Sequence, residues 1–293
     1  AMAGADGRME LECTMDEQDV IVLDNGSGYL KVGFSGEDAP RAVLPTVMAT
    51  TVAGDEQREE ELGVAPGDSM AAAKKSQAFF GDEALGQVGA NVTRPVQRGS
   101  VVMQPPHREA LECLWEHAFR NVLGVESEEL PVIIADALPL GQAAYPSRQW
   151  TAEVMFEKLK VKSLAIFNTA VLSLFSTGRT RGLVVESGEG VTQAVPVFAG
   201  YAIPHAIFRM EVAGQDITAK VHEVMAKELG GHRSTGLPVM QAMKEKVCRV
   251  AADYDSAMHG PDTDDEEAKS FELPDSTIIK VGKQVRTGAP EVL

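Results

Sequence analysis

Two short segments of this chain repeat one pattern, and that repeat constrains the fold more than any other feature. The first, VIVLDNGSGYLKVGF, occupies residues 20–34, and the second, GLVVESGEGVTQAVPVF, occupies residues 182–198. In each, an apolar run leads to one acidic residue (Asp24 or Glu186), then to a small polar loop with two alternate glycines, then to a second apolar run. The pattern predicts two β-hairpins of one design, and two related half-domains that face each other.

The loops of these hairpins have two possible roles. An Asn-Gly pair between apolar runs is a strong hairpin signal, so LDNGSG can be an ordinary turn. The loops can also bind phosphate, because glycines let backbone N–H groups approach an anion without a Cβ in the way. Ser27 adds a hydroxyl donor, and Lys31, on the same strand face as Tyr29, could reach back to the anion. Carboxylates at Asp24 and Glu186 could hold waters around Mg²⁺.

Composition excludes several classes of partner. The formal net charge is -16, from 43 acidic and 27 basic residues, so nucleic acid and anionic membranes are disfavoured as non-specific partners. We expect no membrane insertion, because no apolar run is long enough to span a bilayer. Cys13, Cys113 and Cys248 are odd in number and lack metal-ligand spacing, which predicts a reducing compartment and no disulfide framework.

The remaining pattern alternates helices with strands and predicts an α/β protein with mixed sheets. Asp216 is predicted to cap one helix, and Pro274-Asp275 to form the turn of a closing hairpin. The polar stretch at residues 49–75 is either a solvated linker or a partner-binding loop, and residues 262–267 are an acidic loop. The predicted helices cover residues 108–123, 150–159, 164–176, 216–229 and 239–258, and a buried strand covers 132–135.

Four longer stretches are similar to the actin family. They are LDNGSGYLKVGFSGEDAPRAVLPT, FFGDEA, AVLSLFSTGRTRGLVVESGEGVTQAVPVFAGYAIPHAIFRMEVAGQDIT and MKEKVCRVAADYDSAM. Their order and approximate spacing agree with that family from Val20 to about Pro290. They also separate the chain from sugar kinases and large heat-shock chaperones. The sequence therefore resembles actin or an actin-related protein.

The resemblance implies an actin-like ATPase fold of the α/β class. It has duplicated ribonuclease-H-like halves with mixed sheets, and here its C-terminal part is missing. Residues 1–18 would be a disordered acidic tail. Residues 19–177 would be the first half, with 46–94 as a small inserted subdomain, and 178–293 an incomplete second half. The family's third glycine-rich segment lies beyond Leu293, so we expect either a fragment of a longer product or a truncated relative with an exposed apolar seam.

The resemblance also implies a central cleft that binds ATP with Mg²⁺. Asp24 and Glu186 would hold the metal through water. Gly214 would lie under the adenosine end, and Lys244 and Glu245 would meet the adenine and ribose. The nucleotide-binding residues of the two loops would be Asp24, Asn25, Gly26, Ser27, Gly28, Tyr29 and Lys31, and then Ser187, Gly188, Glu189, Gly190 and Val191.

The departures from the family pattern affect the part of the site that would activate the attacking water. Glu186 and Glu189 stand where the family has aspartates, and one extra methylene moves a carboxylate by roughly the 1 Å that can cost ~100-fold in a positioned reaction. Arg98 stands where the family has a histidine on the phosphate side.

Two further departures affect the attacking water. Gln193 replaces a histidine near that water, and Thr169 replaces a glutamine that helps to place it. Asn168 is predicted to point about 100° away around the helix. Thr169, Glu186 and Gln193 are therefore the altered catalytic places, and the chain is at most a slow ATPase.

Three functions fit these features. The first is a cytoskeletal protein that binds Mg-ATP, forms filaments and hydrolyses slowly. Its partners would be ATP or ADP, other copies or actin subunits, and actin-binding or complex-partner proteins, in the cytoplasm and cytoskeleton, with the nucleus as an alternative. The second is a non-polymerising, hydrolysis-impaired actin-related subunit of a larger complex, suggested by the altered residues and by a longer, acidic loop at residues 46–79. The third is a gene product without a stable fold. We expect the first.

Overall fold

The computed structural model describes residues 19–51, 77–87, 89–128, 130–137, 144–229, 236–259 and 269–293. The predicted acidic tail, most of the predicted loop at 49–75 and the acidic segment at 262–267 lie outside these ranges. Within them, Cys113 and Cys248 are free thiols, and no helix combines the length and apolarity needed to cross a bilayer.

The described part of the chain alternates strands and helices, as predicted for an α/β protein. The strands are β1 (Ile21–Asn25), β2 (Tyr29–Phe34), β3 (Ala42–Pro45), β4 (Met48–Thr51), β5 (Gln77–Phe80), β6 (Asn91–Thr93), β7 (Val96–Gln97), β8 (Ser100–Val101), β9 (Val132–Asp136), β10 (Leu164–Asn168), β11 (Gly182–Ser187), β12 (Thr192–Phe198), β13 (Tyr201–Ala202), β14 (Phe208–Met210), β15 (Lys269–Glu272) and β16 (Ile278–Val281). The α-helices are α1 (Gly81–Gly86), α2 (Pro105–His117), α3 (Ala144–Glu153), α4 (Thr169–Phe175), α5 (Gly214–Leu229), α6 (Leu237–Val247) and α7 (Tyr254–His259).

Short helical turns extend or connect these elements. Single π-helical stretches continue α2 through Ala118–Leu123 and α3 through Val154–Lys158. A 3₁₀ turn, Pro204–Ala206, precedes β14. The described chain ends in a π turn at Gln284–Gly288 and a 3₁₀ turn at Pro290–Val292.

Both predicted glycine-loop hairpins form, and each is part of a larger sheet. In the first sheet, of order β10-β9-β1-β2-β3, β1 pairs antiparallel with β2 and parallel with β9, so the sheet is mixed as predicted. In the second sheet, β11 pairs antiparallel with β12, which also pairs with β13 and β14. The smaller sheets are β5-β4-β6, β7-β8 and β15-β16, and the last of these is the predicted closing hairpin.

The core of the first sheet lies against α2. Ile21 and Leu23 of β1 are fully buried, as are Leu114 and Trp115 of α2. The indole Nε1 of Trp115 also donates to Oδ1 of Asn25 at 3.0 Å. This bond joins the core helix directly to the first residue after Asp24, so packing of α2 helps to fix the start of the first loop.

The second sheet has one covered face and one open face. Helix α4 packs against the covered face, where Val195 and Val197 are buried. On the open face, Leu183, Val185 and Phe208 are between 60% and 68% exposed. This exposed apolar face consists of side chains of β11 and β14.

The predicted helix at residues 164–176 is wrong in its first part. Residues 164–168 are strand β10, parallel to β9, and only Thr169–Phe175 is helical. A short apolar run fits a buried strand as well as a helix, and pairing with β9 decides between them. Asn168 is the N-cap of α4, and its Oδ1 accepts from the amides of Ala170 (3.1 Å) and Val171 (3.3 Å). It is therefore not on the helix, contrary to prediction.

The predicted long helix at residues 239–258 is also wrong, because it is two helices. Helix α6 ends at Val247, and the amide of Arg249 donates to the carbonyl oxygen of Arg286 at 2.7 Å. That tertiary hydrogen bond takes the chain out of the helical path. Helix α7 then begins after Asp253, whose carboxylate accepts from the amide and the hydroxyl of Ser256.

A third correction concerns Asp216. The helix that it was predicted to cap begins two residues earlier, at Gly214, so Asp216 lies inside the first turn. Its carboxylate reaches back to the amide of Ala213 at 2.8 Å. This is the reciprocal half of a capping box, in which the third helical residue satisfies the amide before the helix. The inward positions of the helix are as predicted, since Val221 and Met225 are buried.

Candidate functional site

The two glycine loops enclose a cavity of about 510 Å³. Gly99 and Ala137, which the sequence did not single out, also line it. Gly214, Lys244 and Glu245 are not part of its described lining. The predicted residues that line the cavity are Asp24, Asn25, Gly26, Ser27, Gly28, Tyr29, Lys31, Thr169, Glu186, Ser187, Gly188, Glu189, Gly190, Val191 and Gln193.

The loops touch at positions where only glycine fits. A Cβ on Gly190 would overlap the hydroxyl of Ser27 and lie 3.0 Å from Cα of Arg98. A Cβ on Gly28 would lie 3.0 Å from Cβ of Glu189. The glycines therefore serve a purpose beyond turn formation, because they let two loops from different sheets approach to van der Waals contact.

A buried threonine holds the first loop in shape. Thr46 is fully buried, and its hydroxyl donates to the carbonyl oxygen of Gly26 at 2.8 Å. Its amide donates to the carbonyl oxygen of Gly28 at 2.9 Å. The sequence analysis missed this residue, and its only local signal is a polar side chain between apolar strands.

Lys31 and Asp24 form an ion pair across the first hairpin. They are direct partners in the antiparallel register, and Nζ of Lys31 donates to Oδ2 of Asp24 at 2.8 Å. Both side chains are partly exposed, at 50% and 30%. Lys31 therefore lines the cavity, and its ammonium is paired with Asp24, the carboxylate predicted to hold Mg²⁺ through water.

The altered residues of the second hairpin form one hydrogen-bonded network. Oε2 of Glu186 accepts from the hydroxyl of Thr169 at 2.9 Å and from Nε2 of Gln193 at 3.0 Å. Oε1 accepts from the hydroxyl of Ser173 at 2.8 Å. The carboxylate is thus held by three side chains of α4 and β12, on the covered face of the second sheet.

Ser173 is a member of this network that sequence reasoning missed. It lies four residues after Thr169 on α4, so both hydroxyls project from one helix face toward Glu186. The four-residue spacing is visible in the sequence. It indicates a shared partner only when Glu186 is known to lie against this face of α4. Gln193 is 2% exposed, and its Oε1 has no hydrogen-bond partner in the described part of the chain.

Helix α6 contacts both loops from the far side. Nζ of Lys244 donates to Oε2 of Glu189 at 3.1 Å and to the carbonyl oxygen of Gly214 at 3.0 Å. Nε2 of Gln241 donates to the hydroxyl of Tyr29 at 3.1 Å. Partial burial, together with the charges of Glu245 and Glu189, raises the pKa of Tyr29. Lys244 thus meets the second loop itself, and its contact with adenine or ribose stays a prediction.

The turn between β7 and β8 lies at the junction of the two loops. The amide of Gly99 donates to the hydroxyl oxygen of Ser27 at 2.8 Å. Arg98 forms a two-pronged ion pair with Asp216, with N–O distances of 2.6 and 2.9 Å. These hydrogen bonds raise the pKa of Arg98 and lower that of Asp216. The sequence analysis had noted Arg98 only as a departure from the family.

Asp24 and Glu186 line the same cavity and offer the oxygen ligands that Mg²⁺ prefers. Among the described residues, no cluster of three or more His, Cys, Asp or Glu side chains could hold a metal by itself. A magnesium ion here would therefore keep its waters and share ligands with a phosphate, which is its usual mode in phosphate-binding sites. The metal role of the two carboxylates stays a prediction.

The contact between the loops gives a test of stability. Gly190→Ala should lower the free energy of unfolding by about 1–3 kcal/mol, because the new Cβ overlaps Ser27. Gly188→Ala is the matched control in the same loop, where the nearest atom would be 3.8 Å away, and it should change stability by less than about 0.5 kcal/mol. Urea unfolding measures both, and equal effects would contradict the close approach of the loops.

One comparison with known proteins bears on this site. The sequence model of the Actin family matches residues 15–235, which is more than half of the 293 residues. The matched region contains both glycine loops, the Arg98 turn and helix α4, whereas Lys244 and Glu245 lie beyond its end. By this match, the chain belongs to the actin family.

Proposed function

We propose that this chain is an actin-like protein that binds ATP or ADP with Mg²⁺ between its two glycine loops, forms filaments and hydrolyses ATP slowly. The single observation that carries the proposal is the face-to-face contact of the loops around a cavity of about 510 Å³. That volume lies within the range of about 300–1,000 Å³ found for small-ligand sites. We also propose a place in the cytoplasm and the cytoskeleton, with the nucleus as an alternative.

The shape of the site fits a polyphosphate. Gly26, Gly28, Gly188 and Gly190 of the two loops all line the cavity, so glycine backbone and the hydroxyl of Ser27 are available to phosphate oxygens. The Oε1 of Gln193 is a buried acceptor without a partner in the described residues, so a hydrated ligand would supply the donor that it needs. Both features favour a ligand that brings its own waters.

The charges of the site require a cation with the nucleotide. The lining carries three carboxylates, of Asp24, Glu186 and Glu189, and one ammonium, that of Lys31. A second ammonium, that of Lys244, reaches Glu189 from outside the described lining, so the site keeps an excess of negative charge. Phosphates brought into this field would be repelled unless a divalent ion neutralised them. Bound Mg²⁺ would supply that neutralisation, and Asp24 and Glu186 would hold its waters.

The first test is nucleotide binding by calorimetry. Wild-type protein should bind Mg-ATP, and Lys31→Ala should weaken binding by about 10- to 100-fold, because one charge-assisted hydrogen bond to phosphate is worth about 1.5–3 kcal/mol. Lys220→Ala is the matched control, since Lys220 is also a half-exposed lysine in an ion pair but lies on α5 with Glu223. Unchanged affinity of Lys31→Ala would refute the phosphate assignment, and absence of binding by the wild type would refute the proposal.

Slow hydrolysis is supported by the Glu186 network. Thr169 and Gln193, at the family's water-positioning places, both donate to Glu186. Neither side chain titrates near neutral pH, so neither can take a proton from water. Their donor groups are directed to one carboxylate, and we infer that an attacking water is poorly oriented here.

The second test restores the residue types that position the attacking water in the actin family. Thr169→Gln, Glu186→Asp and Gln193→His together should raise the rate of ATP turnover by up to ~100-fold, because the positioned groups return together. Thr169→Gln alone is the control and should give no gain, since Glu186 and Gln193 would remain bonded to each other. Turnover is measured as phosphate release at saturating Mg-ATP. If the triple variant binds nucleotide as tightly as the wild type but releases phosphate no faster, this explanation of slow hydrolysis is wrong.

A second candidate is a non-polymerising, hydrolysis-impaired subunit of a larger complex. The observation that favours it is again the Glu186 network, because a site that does not turn over can still bind nucleotide as a structural cofactor. This candidate shares the nucleotide site with the first and differs in assembly.

Sedimentation separates the two candidates. If the first is right, protein in Mg-ATP at physiological salt should pellet as filaments above a critical concentration. Lys31→Ala should not pellet under the same conditions, because its nucleotide site is weakened. Wild-type protein that binds Mg-ATP but stays in the supernatant would favour the second candidate.

A further inference from the structure

The Arg98-Gly99 turn holds an arginine in an unusual backbone conformation. The two residues connect β7 and β8, and their φ angles are 49° and 65°. A two-residue hairpin turn with both φ values positive strongly prefers Asn-Gly, and a long side chain at the first position is uncommon. Strain of this kind persists only where the surroundings fix the residue.

The contacts of Arg98 account for its fixation. Its Nη1 donates to Oδ2 of Asp216 (2.6 Å) and to the carbonyl oxygen of Glu211 (2.7 Å). Nη2 donates to Oδ1 of Asp216 (2.9 Å), which completes a fork. The carbonyl oxygen of Arg98 accepts from Nη2 of Arg209.

The other side of the same turn contacts both glycine loops. The amide of Gly99 donates to the hydroxyl oxygen of Ser27 in the first loop. That hydroxyl keeps its own proton for a further acceptor. A Cβ on Gly99 would lie 2.9 Å from Cγ1 of Val191, in the second loop. Gly99 lines the cavity, whereas the guanidinium of Arg98 is directed to the start of α5.

We propose that Arg98 is a positioning residue for the nucleotide, which acts through Gly99 and Ser27 and does not touch the ligand. The fork to Asp216 anchors the turn to α5, beside the second loop. The anchored turn then sets the spacing of the two loops and points the Ser27 hydroxyl into the cavity. The inference deepens the proposed function and rests on it.

The fork is what suits Arg98 to this role. A guanidinium pairs with a carboxylate through two parallel hydrogen bonds, which fix orientation as well as distance. A lysine would keep the charge but lose the orientation. Arg98 and Asp216 are 34% and 23% exposed, so solvent weakens the pair and its net stabilisation is modest. An effect on ligand affinity beyond that on stability is therefore the distinguishing sign of positioning.

The experiment measures Mg-ATP affinity and thermal midpoint for Arg98→Ala, Asp216→Ala, the double variant and Arg98→Lys. Arg148→Ala is the matched control, because Arg148 pairs with Asp136 at 3.0 Å with similar exposures of 36% and 26%. We expect Arg98→Ala to lose affinity on the order of tenfold. The double variant should be no weaker than Asp216→Ala, and Arg98→Lys should recover only part of the loss. Millimolar methylguanidinium should not restore binding to Arg98→Ala, because a guanidinium detached from the turn can pair with Asp216 but cannot anchor the turn to α5. Restored binding would contradict the anchoring role.

The outcomes separate this inference from the proposed function. Absence of Mg-ATP binding by the wild type overturns both. Wild-type binding with unchanged affinity in folded Arg98→Ala overturns only the positioning role, as does an equal loss in Arg148→Ala. If Arg98→Ala does not fold, Asp216→Asn replaces it. An asparagine still accepts from the amide of Ala213 but cannot accept the fork, so its affinity must fall, and unchanged affinity overturns the inference.

Discussion

The hydroxyl of Ser27 lies at the point where three separate segments of the chain meet. It accepts from Gly99, and it occupies the space that a side chain on Gly190 would need. Close packing of this kind leaves no room for a methyl group. This contact joins the two loops and the Arg98 turn at one point, and the fork from Arg98 to Asp216 adds a second link between the turn and the second sheet's side of the cavity. Packing alone therefore requires glycine at position 190, whatever the loop binds.

The hairpins could be read from the sequence because their signals are local. Apolar alternation and an Asn-Gly pair predict β1, β2 and their turn without knowledge of the rest of the chain. Strand β10 could not be read in this way. Its five residues fit either a strand or a helix, and only pairing with β9 makes them a strand. The break after Val247 is similar, because the hydrogen bond from Arg249 to Arg286 that draws the chain away spans two distant segments.

The residues of the site also divide into those that local sequence signals predict and those that depend on tertiary contacts. The predicted residues of both glycine loops line one cavity, but Thr46 and Gly99, which hold the first loop, were not predicted. Thr169, Glu186 and Gln193 were predicted only as separate departures from the family. In three dimensions these residues bond to one another, with Ser173 as a fourth member. A longer carboxylate reaches the hydroxyls of α4, and a shorter one would leave Gln193 Nε2 without that acceptor. Substitutions that satisfy each other's hydrogen bonds cannot be recognised one position at a time.

Helix α6 is bonded to Tyr29 through Gln241 and to Glu189 through Lys244. The helix therefore links the two loops on the side away from the cavity, and the loops cannot separate unless the helix follows or one of these bonds breaks. A neighbouring face of the same helix packs Met240 and Met243 against Phe271 of the last hairpin. Any movement of α6 that lets the loops separate would therefore have to repack this core, and methionine side chains repack at low cost because they are flexible.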